Sequence, residues 1–253
     1  MSRILYGINE EAAKYYYDML RSNQGEAGVA CLKRLGLTEE TIDRFRLGYA
    51  GDGKRGLVDH LKVKGYLEDQ IIEAGLAHVA EDNSVEDTFR NRIIIPIIDD
   101  EYRVIGFSGR VVDDGMPKYL NSRETMAFDK SRSLFGLDHV KDSAAQYIIL
   151  SEGYLDVMAL HQAGYDMATA SSGISFTVNH AGLLKKYAQD VIICFDMDEF
   201  GNKQAEEVLT ILGQSGIKAK RLDLSPYKDP QEYITKEGGT AFGELLRTVL
   251  QKL

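Results

Sequence analysis

The chain has 253 residues, 44% hydrophobic and 27% charged, a balance that excludes disorder and fibrous repeats and suffices for a full core. A formal net charge of −9 excludes an overall basic nucleic-acid coat, while leaving room for a local basic groove or for carboxylates gathered around metal ions. Cys31 and Cys194 lie far apart without zinc or disulfide spacing, and the aliphatic run Ile93 to Ile98 is interrupted by Pro96 and far short of a membrane span, so a cytoplasmic protein with no membrane association is expected.

In chain order, residues 9–21 predict an amphipathic helix with Asn9 as its cap, followed by short helices over 25–35, 38–45, 56–64 and 68–74. Tyr15, Tyr16 and Tyr17 are consecutive and cannot all face one side of a helix, so they must divide between core and surface. The segment 81–87 reads as a charged loop, after which Arg92 to Ile98 and Tyr102 to Phe107, separated by three acids and prolonged to Val112, predict an antiparallel hairpin. From Gln146 onward, four short apolar runs alternate with helical segments, the pattern of a parallel, doubly wound sheet. These two styles predict two domains, 1–142 and 143–253, with the boundary near Asp142.

Open parallel sheets bind ligands beyond the carboxyl ends of their strands. Those exits carry Ser151, Glu152 and Gly153; then Ser171, Ser172 and Gly173; then Asp196, Met197 and Asp198; then Lys228 and Asp229. Asp196 and Asp198 are two apart and point to the same side in extended backbone, where mutual repulsion would raise their pKa unless a divalent cation relieved it. A DxD alone serves equally well as a helix cap, and Asp156, one helical turn beyond Glu152, reads equally as a solvated helix residue. His161, His180 and Cys194 are expected to pack rather than react, and Ser171 and Ser172 lack the paired base of a serine hydrolase.

The ordered series SEGYLDVMAL, ASSG, CFDMDEFGNKQA and KDP resembles the TOPRIM domain of topoisomerases and primases. FRNRIIIPIID, RVIGFSGRV, PKYLNS and LFGLD resemble, in order, the segments that precede TOPRIM in bacterial DnaG-type primases, and GVACLKRLGLTEETIDRFRLGYA resembles the start of that catalytic core. The resemblance implies a TOPRIM-type α/β fold, a parallel sheet with helices on both faces, preceded by a mixed α+β subdomain. It also implies a DNA primase activity, a DNA-directed RNA polymerase that joins ribonucleoside triphosphates into a short primer on a single-stranded DNA template with Mg2+ or Mn2+. Carried over by motif, Glu152, Asp196 and Asp198 are the implied catalytic and metal-binding acids, with Asp156 and Asp229 supporting them. Arg110, Lys118, Tyr119 and Asn121 are implied to bind nucleic acid or nucleotide, as are Arg34, Arg90 and Arg92. A replicative helicase is an implied partner, through regions of the family that follow this stretch.

The chain departs from the family pattern at Met197, where glycine is usual between the acids, at Glu199, which replaces expected positive charge, and at Gln231, where a further acid is usual. The same acids would also serve a TOPRIM nuclease, and a non-catalytic single-stranded DNA-binding replication module is a third expectation.

Overall fold

The structure is a computed structural model that describes residues 2–143, 146–171, 173 and 175–252; Ser172 lies outside the described residues. It divides into two compact units, Met1–Asp129 and Lys130–Leu253. The division falls ahead of Asp142, because Leu134, Leu137 and Val140 belong to the core of the second unit beside Ile148 and Leu150.

The first unit opens with α1 (Ser2–Arg21), which buries Leu5, Ile8, Ala12, Ala13, Tyr16 and Leu20 at helical spacing. The helix begins before Asn9, so that residue is not its cap; it is buried, and its Nδ2 donates to Val104 O at 3.1 Å, tying the helix to a strand. The three tyrosines divide as expected: Tyr16 enters the core edge-on to Phe107, Tyr15 is partly buried, and the Arg21 guanidinium lies over the Tyr17 ring. Next come α2 (Glu26–Arg34) and α3 (Glu39–Arg44), the latter capped by Thr38, whose Oγ1 accepts from Thr41 N at 3.2 Å. The strand β1 (Gly48–Ala50), α4 (Gly56–Val63) and α5 (Glu68–Glu73) follow.

The charged segment expected as a loop contributes a strand of its own, since β2 (Ala77–Val79) pairs antiparallel with β3 (Val85–Asp87). The α4 N-terminus explains why: Asp87 accepts from both Leu57 N and Val58 N at 2.9 Å, so an acid at the end of β3 serves as the helix's cap from outside. The hairpin forms as expected from β4 (Arg92–Ile98) and β5 (Val104–Val111), with Asp99 Oδ1 accepting from Glu101 N and Arg103 N in the turn. With β6 (Tyr119–Asn121) they complete an antiparallel sheet of order β1-β4-β5-β6.

The second unit contains α6 (Leu137–Asp142), β7 (Tyr147–Ser151), α7 (Tyr154–Gln162), β8 (Ala168–Ala170), α8 (Val178–Leu184), β9 (Asp190–Cys194), α9 (Glu199–Gln214), β10 (Lys218–Arg221) and α10 (Pro230–Leu250). Its strands form an all-parallel sheet of order β10-β9-β7-β8. On one face Ile148, Leu150, Val191 and Ile193 pack against Ala181 and Leu184 of α8 and Ala205, Val208 and Leu212 of α9. By strand alternation Ile149 and Ile192 lie on the other face; both are fully buried, and α7 and α10 pack together. His161, His180 and Cys194 are buried: His161 Nε2 and His180 Nε2 each lie 2.9 Å from a backbone carbonyl, of Ala168 and Lys130. From β7 the chain steps outward to β8, then returns to lay β9 on the opposite side of β7. The carboxyl ends of β7 and β9 therefore flank a topological switch point, where neither connection crosses.

Candidate functional site

Glu152 follows β7 directly, and its Oε1 accepts from Asp196 N at 3.0 Å, so the side chain reaches across the switch point to the tip of β9. Asp196 Oδ2 lies 3.3 Å from Lys228 Nζ, which is also 3.9 Å from Asp229 Oδ2. Asp198 caps α9 through Oδ1, which accepts from Gly201 N at 2.8 Å, and Asp229 caps α10 through Oδ1, which accepts from Glu232 N at 2.7 Å. Asp156, buried in the first turn of α7, accepts from Gly153 N at 3.2 Å and from Gln231 N at 3.4 Å. Each cap uses one oxygen of its carboxylate, so capping and cation binding are compatible roles for Asp198 and Asp229.

Glu152, Asp156 and Asp196 are held against their ionised forms. Burial raises the pKa of Glu152, and the nearby Asp196 and Asp198 charges raise it further. Burial raises that of Asp196 despite the opposing pull of Lys228. Asp156 is pushed to about 7, by burial first and then by Asp229 and Asp196. Asp196 in turn holds the Lys228 ammonium above its ordinary value. The donors are carboxylate oxygens, the hard ligands that suit magnesium-like cations. Among the described residues, no group of three or more His, Cys, Asp or Glu stands in a ligating arrangement; at this edge the Lys228 ammonium lies against two of the acids.

Three further residues shape this edge; Gly201 and Arg221 were not singled out from the sequence, and Lys228 was placed at a strand exit without a role. Gly201 is obligatory, because a Cβ there would lie 2.2 Å from Asp196 O and 2.8 Å from Glu152 Oε1. Its signal was a glycine just inside the helix that follows the DMD. Arg221, at the end of β10, donates from Nη2 to Asp196 O at 2.9 Å and lies 3.5 Å from Met197 Sδ. Met197 N donates to Lys228 O at 2.8 Å. The residue standing in place of glycine is thereby accommodated, its backbone bonded to the loop before α10 and its thioether set against a guanidinium. Lys228 is the third; its lysine character before Asp229 was legible, its contact with Asp196 was not.

In the first unit, Arg110 pairs with Tyr119 and Ser108 with Asn121 across β5 and β6, so Arg110, Tyr119 and Asn121 share one face of the sheet. Arg110 Nη1 lies 3.5 Å from Cys31 Sγ and 3.3 Å from Val111 O. Lys118 is exposed beside them, its carbonyl accepting from Val111 N at 3.1 Å, and Arg34 reaches the same end of β5, its Nη2 donating to Val112 O at 2.7 Å. Arg92, paired with Val111, faces the other side of the same sheet and with Arg90 lines an open cavity of about 380 Å3 with Asp52, Glu86 and Asn91. Arg90 pairs with Glu86 at 3.0 Å. Arg92 is buried, and its Nη1 donates to Gly109 O at 3.0 Å and Pro117 O at 2.9 Å, so it holds the connection between β5 and β6.

A two-unit α/β chain with acids at the switch point of a parallel sheet and basic residues on an antiparallel one defines a class, and sequence comparison identifies it further. Residues 15–141 match the DNA primase catalytic core, N-terminal domain, and residues 149–234 match the Toprim-like family. The DNA primase of Clostridium acetobutylicum is 43% identical over 247 residues, covering 97% of this chain and 41% of that protein. That of Deinococcus radiodurans is 39% identical over 238 residues, covering 92% and 41%. A DnaG primase catalytic domain bound to single-stranded DNA superposes with a TM-score of 0.91 at 33% identity, covering 97% of this chain and 81% of that one. The E. coli primase catalytic core gives 0.89 at 34% identity, covering 96% and 80%. The chain belongs to the DnaG-type DNA primase catalytic-core family. It spans about two fifths of the length of the curated relatives it matches. Among the described residues no helix is long and apolar enough to cross a membrane.

Proposed function

We propose that the chain is the catalytic core of a DNA primase, acting in the cytoplasm to join ribonucleoside triphosphates into a short RNA primer on single-stranded DNA. The observation that carries this reading is the Glu152 carboxylate at the end of β7 bonded across the switch point to the Asp196 backbone at the end of β9, in a chain of the primase-core family. Glu152, Asp196 and Asp198 would hold a divalent cation, Mg2+ or Mn2+, with Asp156 and Asp229 behind them. Bound there, the cation would lower the pKa of a primer 3′-hydroxyl and stabilise charge developing on the triphosphate. The chain's own part is positional: Arg221 fixes the Asp196 carbonyl, Gly201 admits the close approach of Glu152, and Asp156 braces the start of α7 against α10.

Arg110, Lys118, Tyr119 and Asn121 would carry the nucleic acid or nucleotide, with Arg34 beside them. Cationic side chains neutralise phosphates without reading sequence, and Tyr119 offers a ring for base stacking. Arg90 would add charge at the cavity it lines, and Arg92 would support the strip through the backbone rather than by contact. A replicative helicase would engage parts of such a primase outside this stretch. Incorporation of labelled ribonucleotides tests the reading: it should require both a single-stranded DNA template and Mg2+ or Mn2+, and disappear in Asp196→Asn. Cleavage of DNA without incorporation would point to a nuclease instead. Salt-sensitive binding that survives Asp196→Asn, with no turnover in the parent, would point to a binding module.

A further inference from the structure

The acidic edge carries Glu152, Asp156, Asp196, Asp198 and Asp229, and the Lys228 ammonium lies within 3.3 Å of Asp196 Oδ2 and 3.9 Å of Asp229 Oδ2. We propose that Lys228 is an exchangeable counter-cation: its ammonium draws Asp196 and Asp229 together before a divalent ion enters, is displaced by that ion, and then reaches the phosphates of a bound nucleotide. The inference rests on the metal-binding reading of this edge and adds to it the group that the metal must replace.

The geometry separates what can move from what cannot. The main chain of Lys228 is pinned on both sides, its N donating to Glu232 Oε2 at 2.8 Å and its O accepting from Met197 N at 2.8 Å. Only the side chain is left to swing. It is 62% exposed, so no core packing opposes the rotation. Arg221 is the contrast: its guanidinium is bonded to Asp196 O and its Nε is buried, so it acts as a fixed clamp. A lysine suits the mobile role, being a compact point charge on a flexible stem that binds phosphate without a fixed fork geometry. A doubly charged ion among the same carboxylates outcompetes the single charge and repels it outward, toward the open side where a triphosphate would lie.

Mn2+ titration of the full chain without nucleotide, read from the electron paramagnetic resonance signal of the free aquo ion, tests the exchange. Lys228→Gln should bind Mn2+ about three- to fivefold more tightly than the parent, the range expected for removing one exposed competing charge. Lys228→Arg, which restores a cation, should stay within about twofold of the parent. In the incorporation assay, the half-saturating nucleotide concentration of Lys228→Gln should rise while its metal affinity improves. A merely structural lysine would weaken both together. Unchanged or weakened Mn2+ binding in a folded Lys228→Gln, with normal binding by the parent, overturns the exchange and leaves the metal reading standing. A parent that binds no Mn2+ overturns both. An unchanged half-saturating nucleotide concentration overturns the phosphate-reaching step.

Discussion

In the first unit Glu86 lies between Lys54 Nζ, 2.8 Å from its Oε1, and Arg90 Nη1, 3.0 Å from its Oε2; Asp99 accepts from Arg103 at 2.6 Å, and Glu68 lies within 2.9 Å of both Arg55 and Lys62. Opposite charges and hydrogen bonds there hold Glu86 and Glu68 below their ordinary pKa. At the strand ends of the second unit the direction reverses, and Glu152, Asp156 and Asp196 are all raised. Acids already met by Lys or Arg partners leave no charge deficit for a ligand to fill. Acids at a sheet's switch point, with burial against them, carry repulsion that the proposed divalent cation would relieve. On the proposed reading, the contrast separates the paired acids of the first unit, which serve the fold, from strand-end acids that would serve a ligand.

The sharpest way to break that contrast is to neutralise one acid of each kind. Asp196→Asn should lower metal-dependent incorporation on the order of a thousandfold, since a bound metal supplies several kcal/mol of transition-state stabilisation. Its metal-free Tm should stay level or rise, because repulsion at the edge is relieved. A large fall in metal-free Tm would make Asp196 a fold-serving acid and erase the distinction.

Among the basic residues, Arg92 and Lys118 form the corresponding pair, one spent on the fold and one exposed. Arg92→Ala leaves the Gly109 and Pro117 carbonyls without their guanidinium donor and should cost about 2 kcal/mol in denaturant unfolding. Full stability in that variant would return Arg92 to the set of contact residues.

A buried acid of the first unit sharpens the comparison further, because it resembles the second unit's acids in pKa and differs in purpose. Asp87 is pushed to about 6, mainly by burial and against the lowering effect of Leu57 N and Val58 N. A raised folded-state pKa favours the protonated form, so this share of stability is complete below the reference value of 3.8 and is lost as pH climbs to about 6. Between pH 4 and pH 7 the parent should therefore lose about 2 kcal/mol more than Asp87→Asn. Parallel pH profiles for the two proteins would contradict it. Saturating Mg2+ should leave the Asp87 difference in place, since that acid caps a helix. The smallest effect is expected at Lys118: Lys118→Ala should reduce the slope of log affinity for single-stranded DNA against log salt by about 1. An unchanged slope would remove Lys118 from the phosphate contacts.

Much of this division was legible in the sequence, and where it was not, the cause is physical. The alternation of apolar runs and helices announced the parallel sheet, and the residues just beyond each run located the acids. The antiparallel hairpin followed from β-rich runs around the acidic turn at Asp99. Asn9 misled because its polar side chain looks like a cap, while its real partner, Val104 O, is distant in sequence. The segment before Asp87 looked like solvated charge because the helix N-terminus it caps also lies far along the chain. The contacts of Lys228 and Arg221 with Asp196 escaped for the same reason, since each is made across the sheet. Local pattern yields elements and strand ends; contacts between distant side chains emerge only once the elements pack.

Anomalous diffraction from crystals of the full chain soaked in Mn2+ tests the central claim most directly. The account predicts a peak within coordination distance of Glu152 and of the Asp196 and Asp198 carboxylates, with Lys228 turned away from Asp196. Ordered density for these side chains with no anomalous peak between them at saturating Mn2+, and Lys228 still seated against Asp196, would contradict it.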